Sequence, residues 1–346
     1  MVPAQAQPPS QPKWPPTRRE MAGHLRGSYM TISVLIPAYN CQATIRETLD
    51  SVLAQTRPPD EILVMDDGST DQTPEILESY KPRVQALRQE NQGVAAARNG
   101  LLERAQGDLL AWLDSDDVWH PCCLDTQGRS FTDYPEAGAL FVDHVDFRGV
   151  GPYIWHFDPL VVEGDPVVID PLNFFRTLVS APGKFMSAFC CITRQSARRI
   201  GGRVAPGGMR VTEDFYMLSM VALKGLSAVY APYPLVAHRV RDDSLSRKPV
   251  PTRRSVVEAF KLLEPHFRAS APRNLLNIFE KGFASARRGY AKALMGEGRN
   301  LEARREIASS FGESYRPDSL LKSAGLLAAT FSPRRLQPKW PPRYRG

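Results

Sequence analysis

Three carboxylates follow an apolar, strand-like segment in the stretch AWLDSDDVWHP, residues 111–121. Asp114, Asp116 and Asp117 come directly after the run Leu109–Leu113. Crowded carboxylates repel one another and resist removal from water, so this arrangement indicates a cation. Carboxylate oxygens suit Mg²⁺ or Mn²⁺, which also bind substrate phosphates. The Asp-x-Asp pair is therefore a candidate metal site, although a solvated turn explains an isolated acidic run better.

Two other groups of polar residues could take part in chemistry on a nucleotide or a sugar. Tyr39 ends the first apolar segment and can stack on a base, and Asp67 in DDGSTD can accept a hydrogen bond from an imide N–H. TEDFYMLS contains the adjacent carboxylates Glu213 and Asp214. Each segment also has a structural explanation, since DDGSTD is typical of a turn and acidic residues suit the first turn of a helix.

The elements that must position these residues alternate between short apolar strands and amphipathic helices. This alternation predicts an α/β fold with a mainly parallel central sheet flanked by helices. Ligands bind beyond the carboxyl ends of such strands, where the polar residues would meet. The predicted strands are TISVLIPAYN, EILVMDD, RVQALRQE and DLLAWLDSDD; the helices between them are TIRETLDSVLAQT, TPEILESY with Thr73 as N-cap, and GVAAARNGLLERA ended by Gly107.

Charge is unevenly distributed along the 346 residues. The net charge is +7, yet residues 31–251 hold 21 basic and 28 acidic residues, which argues against a nucleic-acid-binding core. The basic excess lies in residues 1–30, 252–330 and 331–346, so an anionic surface such as a membrane is a candidate partner for one end. Five cysteines without CxxC spacing argue against a disulfide framework or a zinc knuckle.

The composition divides the chain into four segments. We expect a disordered Pro-rich tail at 1–30, the α/β domain at 31–251, a helical extension at 252–332 and a basic disordered tail at 333–346. Apolar runs are far shorter than the about 20 residues of a membrane span, and residues 1–16 lack the apolar region of a signal peptide. We therefore expect a cytoplasmic protein. The apolar, aromatic and basic C-terminal residues suit peripheral contact with the inner face of a membrane, although the last helix can instead pack on its predecessors.

Taken in order, these motifs resemble the family-two glycosyltransferases of the GT-A fold over about residues 31–248. The resemblance implies a Rossmann-like nucleotide-binding half and transfer, with inversion, of a sugar from a nucleotide-diphosphate sugar to an acceptor hydroxyl. A UDP-sugar is the favoured donor, a glycan or lipid-linked molecule the acceptor, and Mg²⁺ or Mn²⁺ the cofactor. The implied role is the synthesis of a cell-surface polysaccharide or glycolipid. The matching segments are VLIPAYNCQATIRETLDSVLAQT, ILVMDDGSTDQTPEIL, ENQGVAAARNGLLERAQGDLLAWLDSDDVWHP, IGG, TEDFYMLS and HRVRDDSLS.

The resemblance also implies a role for individual residues. Asp214 is the catalytic base, Asp114 and Asp116 hold the metal with Asp117 as a further candidate, and the closing-loop residues Arg241 and Ser244 meet the diphosphate. The implied nucleotide-binding residues are Pro37, Tyr39, Asn40, Asp66, Asp67 and Arg98. The chain departs from the family at two positions, with Met220 where Arg is common and Arg241 where His is common.

The motifs of other nucleotide-binding and metal-dependent enzyme classes do not occur in this sequence. GxGxxG, GxxxxGK[ST] and HExxH do not occur, and no Gly-rich loop follows the first strand. The alternative that remains is a catalytically inactive, nucleotide-sugar-binding scaffold on the same fold, against which the intact Asp-x-Asp and Glu-Asp pairs argue. Aromatic residues within 141–189 are expected either to line the acceptor side, since rings pack on sugar faces, or to belong to the core.

Overall fold

The protein is described by a computed structural model that covers residues 30–149, 151–156, 164–180, 189–206, 209, 212–241, 248–313 and 317–331. The two predicted tails therefore lie outside the described residues, apart from Met30. The strands are β1 (Ile32–Ala38), β2 (Glu61–Asp66), β3 (Gln85–Arg88), β4 (Leu109–Trp112), β5 (Val118–Trp119), β6 (Ala137–Phe147), β7 (Val167–Ile169), β8 (Cys190–Thr193) and β9 (Ser227–Arg239).

Helices follow most of these strands. They are α1 (Ile45–Leu53), α2 (Thr73–Glu78), α3 (Val94–Arg104), α4 (Cys123–Asp133), α5 (Pro171–Ser180), α6 (Arg194–Arg199), α7 (Glu213–Leu223), α8 (Pro249–Ser270), α9 (Arg273–Gly296), α10 (Asn300–Glu313) and α11 (Pro317–Ala329). The four strands and three helices predicted within residues 31–117 are all present, with shorter bounds.

The described strands form one nine-stranded sheet in the order β3-β2-β1-β4-β8-β6-β9-β5, with β7 also paired to β9. β1 to β4 pair in parallel, and β8 is antiparallel to both β4 and β6. β6 and β9 pair in parallel and therefore run in the same direction as β4. The carboxyl ends of β1, β2, β4, β6 and β9 consequently share one edge of the sheet. The α/β prediction is confirmed.

Apolar residues on both faces of the sheet explain why the strands read as continuous hydrophobic runs. Leu35 belongs to a core on one face that also contains Trp112, and its neighbours Val34 and Ile36 belong to a second core on the other face. β1 is buried over its whole length. Alternate side chains of β1 therefore pack into two different cores. This two-sided burial fixes the strand register and hence the position of the strand end.

Two predicted details of helix boundaries differ from the structure. Thr73 is the first residue of α2 rather than its N-cap, because its hydroxyl accepts a hydrogen bond from the Cys41 amide at 2.9 Å. α3 ends at Arg104, before Gly107. Gly107 is required for another reason: a Cβ there would lie 2.5 Å from the backbone nitrogen of Ser33.

The C-terminal helices pack against the sheet domain through aromatic contacts. Phe267 of α8 lies 4.8 Å from Phe175 of α5, and Phe260 lies 5.1 Å from Phe215 of α7, between ring centroids. α8 begins at Pro249, three residues before the boundary expected at 252. Among the described helices, none is long and apolar enough to cross a membrane.

Candidate active site

The Asp67 carboxylate at the end of β2 is fixed by donors from the loop that leads into α3. Asp67 is 3% exposed. Its Oδ1 accepts hydrogen bonds from the Gln89 side chain at 2.7 Å and the Gln92 amide at 2.9 Å, and its Oδ2 accepts one from the Gly93 amide at 2.8 Å. A carboxylate has about four acceptor positions, so one remains for a ligand.

Asp66 organises the turn beside it. Its Oδ1 accepts a hydrogen bond from the Ser69 amide at 2.9 Å, and its Oδ2 lies 2.6 Å from Nη1 of Arg88. Gly68 has a φ of +78°, a conformation that glycine adopts without strain. Together with residues 89–91, Gly68 and Arg88 line a cavity of about 540 Å³. The DDGS turn therefore borders a concave surface with an accessible cation, since the Arg88 side chain is 54% exposed.

The end of β1 meets the same turn. The Asn40 amide donates to Ser69 Oγ at 2.9 Å, and Asn40 Oδ1 accepts from the Thr70 amide at 2.8 Å. Tyr39 is 50% exposed, whereas Pro37 is buried within β1. Of the three predicted nucleotide-binding residues here, Tyr39 presents its side chain to solvent and Asn40 ties the two turns together.

The Asp-Ser-Asp-Asp run after β4 places its carboxylates in two environments. The side chains of Asp114 and Asp116 are 32% and 28% exposed, but Asp117 is 1% exposed. Asp117 Oδ1 accepts the Arg239 amide at 2.9 Å, while its Oδ2 is buried without a hydrogen-bond partner among the described residues. Burial and then Asp116 raise the pKa of Asp117 well above its usual range. Asp114 and Asp116 are thus the accessible pair, and Asp117 is turned toward β9.

Arg98 of α3 joins the Asp-x-Asp run to the Glu-Asp pair. It is 3% exposed, with Nη2 2.5 Å from Asp114 Oδ1 and Nη1 paired with Glu213 Oε1. Burial lowers the pKa of Arg98, but the charges of Asp114 and Glu213 outweigh burial and raise it. The resemblance implied that Arg98 binds the nucleotide; the structure places its guanidinium in a buried ion-pair network.

Asp214 lies beside this network, in the first turn of α7. Its Oδ1 accepts a hydrogen bond from the Phe215 amide at 2.7 Å, and its side chain is partly buried. The N-terminal end of a helix favours the ionised form of a carboxylate. Burial raises the pKa of the neighbouring Glu213 to about 7 despite the opposing effect of Arg98.

Two arginines at the end of β9 approach the Asp-x-Asp run. Arg241 Nη1 lies 3.7 Å from Asp116 Oδ2, so this predicted diphosphate contact adjoins the accessible carboxylates; Ser244 lies outside the described residues. Arg239, which was not singled out from the sequence, is buried and donates from Nε to the Asp116 carbonyl at 2.9 Å. Its Nη2 pairs with Glu47 at 2.5 Å. Arg239 is the first arginine of HRVRDDSLS, and its place in that motif was the sequence feature that could have identified it.

The aromatic residues expected on the acceptor side separate into a core group and a surface group. Tyr153 and Trp155 are partly exposed, with ring centroids 4.9 Å apart in an edge-to-face contact. The buried members are Phe141, Phe174, Phe175 and Phe189, whereas Phe157 and Phe185 lie outside the described residues. The surface group, which the partly exposed Phe147 joins through its contact with Tyr153, offers rings to a ligand.

Comparison with known proteins finds relatives in sequence and in fold. The sequence model of glycosyl transferase family 2 matches residues 33–199. Glycosyltransferase GlyA of Streptococcus pneumoniae is 29% identical over 226 residues, which cover 62% of this chain and 31% of that protein. A putative teichuronic acid biosynthesis glycosyltransferase, TuaG of Bacillus subtilis, is 44% identical over 100 residues, covering 28% of this chain and 40% of that protein. The matched stretches thus span less than half of either relative.

Solved structures show the same fold. Staphylococcus aureus TarS, residues 1–349 in complex with UDP, is 17% identical, with a TM-score of 0.59 over 87% of this chain and 90% of that one. The mannosyltransferase PcManGT from Pyrobaculum calidifontis, in complex with GDP-Man and Mn²⁺, is 22% identical, with a TM-score of 0.55 over 89% of this chain and 82% of that one. Residues 33–199 therefore match glycosyltransferase family 2, and the chain has the GT-A fold.

Proposed function

We propose that this chain transfers a sugar from a nucleotide-diphosphate sugar to an acceptor hydroxyl, with inversion at the anomeric carbon and with the help of a divalent cation. The observation that carries this proposal is the buried Arg98, which touches both Asp114 and Glu213. One guanidinium thereby holds the candidate metal-binding run next to the candidate base. Inverting transfer needs these two functions on opposite sides of one anomeric carbon.

The nucleotide is assigned to the edge formed by β1 and β2. Asp67 keeps one acceptor position for an imide N–H, and Tyr39 is exposed enough to stack on a base. The cavity of about 540 Å³ beside Gly68 has the size of a small-ligand site. UDP bound to TarS makes a uracil nucleotide our first choice, and the GDP-Man of PcManGT makes a guanine nucleotide the second.

Asp114 and Asp116 fit a divalent cation. Both are partly exposed oxygen donors, and burial followed by Asp114 raises the pKa of Asp116, so a bound cation would relieve the repulsion between them. Mg²⁺ or Mn²⁺ there would offset the charge that develops on the departing diphosphate. Arg241 lies next to Asp116 and is available to the same diphosphate.

Asp214 is assigned as the general base. As the acceptor oxygen forms its bond to the anomeric carbon and the bond to the diphosphate breaks, Asp214 takes the proton of the acceptor hydroxyl. The Phe215 amide holds Oδ1, and the adjacent Glu213 is anchored by Arg98. Asp214 is thereby positioned by the network that also holds Asp114.

The acceptor is proposed to be a glycan or a lipid-linked saccharide of a cell-surface polysaccharide or glycolipid. The name of TuaG refers to teichuronic acid biosynthesis, which supports this class of product. Tyr153 and Trp155 offer partly exposed rings that can pack on sugar faces. Work on a growing surface polymer also suits an enzyme in the cytoplasm that contacts the inner face of the membrane.

Membrane contact is proposed through α11 and the basic tail that follows it. Leu321 and Phe331 are 74% and 67% exposed and so offer apolar side chains close to the basic tail. The basic residues of 333–346 lie outside the described residues. Co-sedimentation with anionic liposomes should fall for Leu321→Ser and at high salt. Equal recovery of Leu321→Ser and the unaltered chain in the pellet would rule out this surface.

The experiment that tests the proposed function separates an enzyme from an inactive scaffold. A panel of nucleotide-sugars with Mn²⁺ is screened for a rise in Tm, and the stabilising donor is then followed for slow hydrolysis without acceptor. We expect one donor class to stabilise and be hydrolysed, and Asp116→Asn to lose both effects while the exposed control Asp318→Asn keeps them. Stabilisation without any turnover would favour the scaffold, and no stabilisation by any donor would contradict both readings.

A further inference from the structure

Three potential metal ligands converge on one face of β6 and β9, outside the site assigned to the donor. In the parallel register Asp146 is directly opposite His238, and His144 is two residues before Asp146 on the same strand. Side chains two residues apart in a strand point to the same face. His144, Asp146 and His238 therefore form one cluster, whose ligand atoms all lie within 4.8 Å of one another.

The Asp146 carboxylate lies between the two imidazoles. Its Oδ1 is 2.8 Å from His238 Nδ1 and 3.7 Å from His144 Nε2. The side chain of Asp146 is 52% exposed and those of the histidines are 28% and 26% exposed. One oxygen thus faces two ring nitrogens at a surface that an ion can reach.

Neighbouring residues hold the His144 ring in the orientation that a metal ligand needs. His144 Nδ1 lies 3.5 Å from Asp143 Oδ1, which leaves Nε2 toward Asp146. Asp143 is itself fixed by the Tyr230 hydroxyl at 2.7 Å and by the His144 amide at 2.8 Å. A carboxylate on the far nitrogen is the usual support of a metal-binding histidine, because it fixes the ring and increases its basicity.

A buried phenylalanine supports both rings from below. Phe189, 1% exposed, stacks on His144 with 4.2 Å between centroids and meets the edge of His238 at 5.6 Å. The centroids of the two imidazoles are 5.9 Å apart. The cluster is therefore a supported set of donors rather than a chance meeting of flexible side chains.

We propose that His144, Asp146 and His238 form a second cation site, which takes a transition-metal ion of the Zn²⁺ class rather than Mg²⁺. Two imidazoles and one carboxylate suit Zn²⁺ and Co²⁺, whereas the all-oxygen pair Asp114 and Asp116 suits Mg²⁺ or Mn²⁺. The proposed ligand His238 immediately precedes Arg239, whose Nε donates to the Asp116 carbonyl. This proposed site does not depend on whether the chain transfers a sugar.

The test is a titration of the full chain with Co²⁺ after removal of metals by a chelator. Asp116→Asn is the background, so that the donor site does not contribute. We expect visible d–d absorption bands and one bound Co²⁺ that millimolar Mg²⁺ does not displace. Adding His144→Ala or His238→Ala should weaken Co²⁺ binding by about 10-fold or more, at least the loss seen for outer-shell partners of a metal.

Controls separate loss of a ligand from loss of the fold. His156→Ala, which changes an exposed histidine outside the cluster, should bind Co²⁺ like the background. Asp146→Asn keeps the shape of the side chain and decides the matter if a histidine variant fails to fold by circular dichroism. The proposal is overturned if Co²⁺ binding is equal in the background and in the folded cluster variants, or if the background binds no Co²⁺.

Discussion

The carboxyl ends of β1, β2 and β4 hold their polar groups differently from the ends of β6 and β9. At the first set, carboxylates are tied to backbone amides and to arginines, as Asp67 is to the Gln92 and Gly93 amides and Asp114 is to Arg98. At the second set, imidazoles lie on a phenylalanine and meet one exposed carboxylate. One edge of a single sheet therefore presents a hard, oxygen-rich region beside a softer, nitrogen-containing one.

The difference lies in where along a strand the functional residues occur. Around β4 they follow the strand, in a turn whose backbone amides are available to carboxylates. In β6 and β9 they lie within long strands, so each position is fixed by ladder register and by the face on which it falls. The turn after β4 therefore concentrates negative charge in a small volume. The strands β6 and β9 instead fix the relative positions of donor side chains on the surface of the sheet.

The largest effect is expected from the oxygen-rich region. Asp116→Ala should abolish metal-dependent donor binding and Asp114→Ala should weaken it, because the Asp114 carboxylate is engaged by Arg98 at 2.5 Å whereas the Asp116 carboxylate lies 3.7 Å from Arg241. Isothermal titration calorimetry with the stabilising nucleotide-sugar and Mn²⁺ measures the donor affinity of both variants. Donor affinity in Asp116→Ala equal to that of the unaltered chain would show that the metal is held elsewhere.

A second large effect concerns the stability of the buried link. Arg98→Met should lower the free energy of unfolding by about 3–5 kcal/mol, because Glu213 would remain buried without its cation. Adding Glu213→Gln should recover part of the loss. Urea unfolding of the two single variants and the double variant forms the cycle, with Arg254→Ala as a surface-pair control that leaves the midpoint unchanged. A loss in Arg98→Met as small as that in the control would contradict the link.

A moderate effect is expected from pH. Burial raises the Glu213 pKa from 4.5 to about 7, so the folded state keeps this proton over a range where the unfolded state has released it. The contribution of Glu213 to stability is therefore present below about pH 4.5 and lost as pH rises to about 7. Glutamine does not titrate, so the free energy of unfolding of Glu213→Gln should not show this loss. The difference between Glu213→Gln and the unaltered chain should therefore move in favour of the variant as pH rises from about 4.5 to about 7. A difference that stays constant with pH would contradict the raised pKa.

The smallest effect is expected at the support of the second region. Asp143→Asn should weaken Co²⁺ binding by about 10-fold, because Asp143 orients His144 without being a ligand. Donor stabilisation by Mn²⁺ should not change, which separates the two regions. Loss of donor binding in Asp143→Asn would show that the two regions act as one.

The first region was predicted from the sequence because its residues occur in short runs at strand ends. Asp114, Asp116 and Asp214 stand out in that way, and the strands before Asp67 and Asp114 read directly from apolar runs. The burial of Arg98 was not predicted and Arg239 was missed, since a lone arginine in a helix or strand gives no sign of burial. His144 and His238 are 94 residues apart in the sequence, and only the pairing of β6 with β9 brings them together.

The measurement that tests the central assignment most directly is the turnover of Asp214→Asn. The substitution keeps the shape of the side chain and an oxygen that can accept from the Phe215 amide, but it removes the base. Donor binding and Tm should stay near those of the unaltered chain, while turnover falls by about 10²-fold or more, the usual scale for loss of a general base. Turnover within a few-fold of the unaltered chain would contradict the account and place the base on another residue.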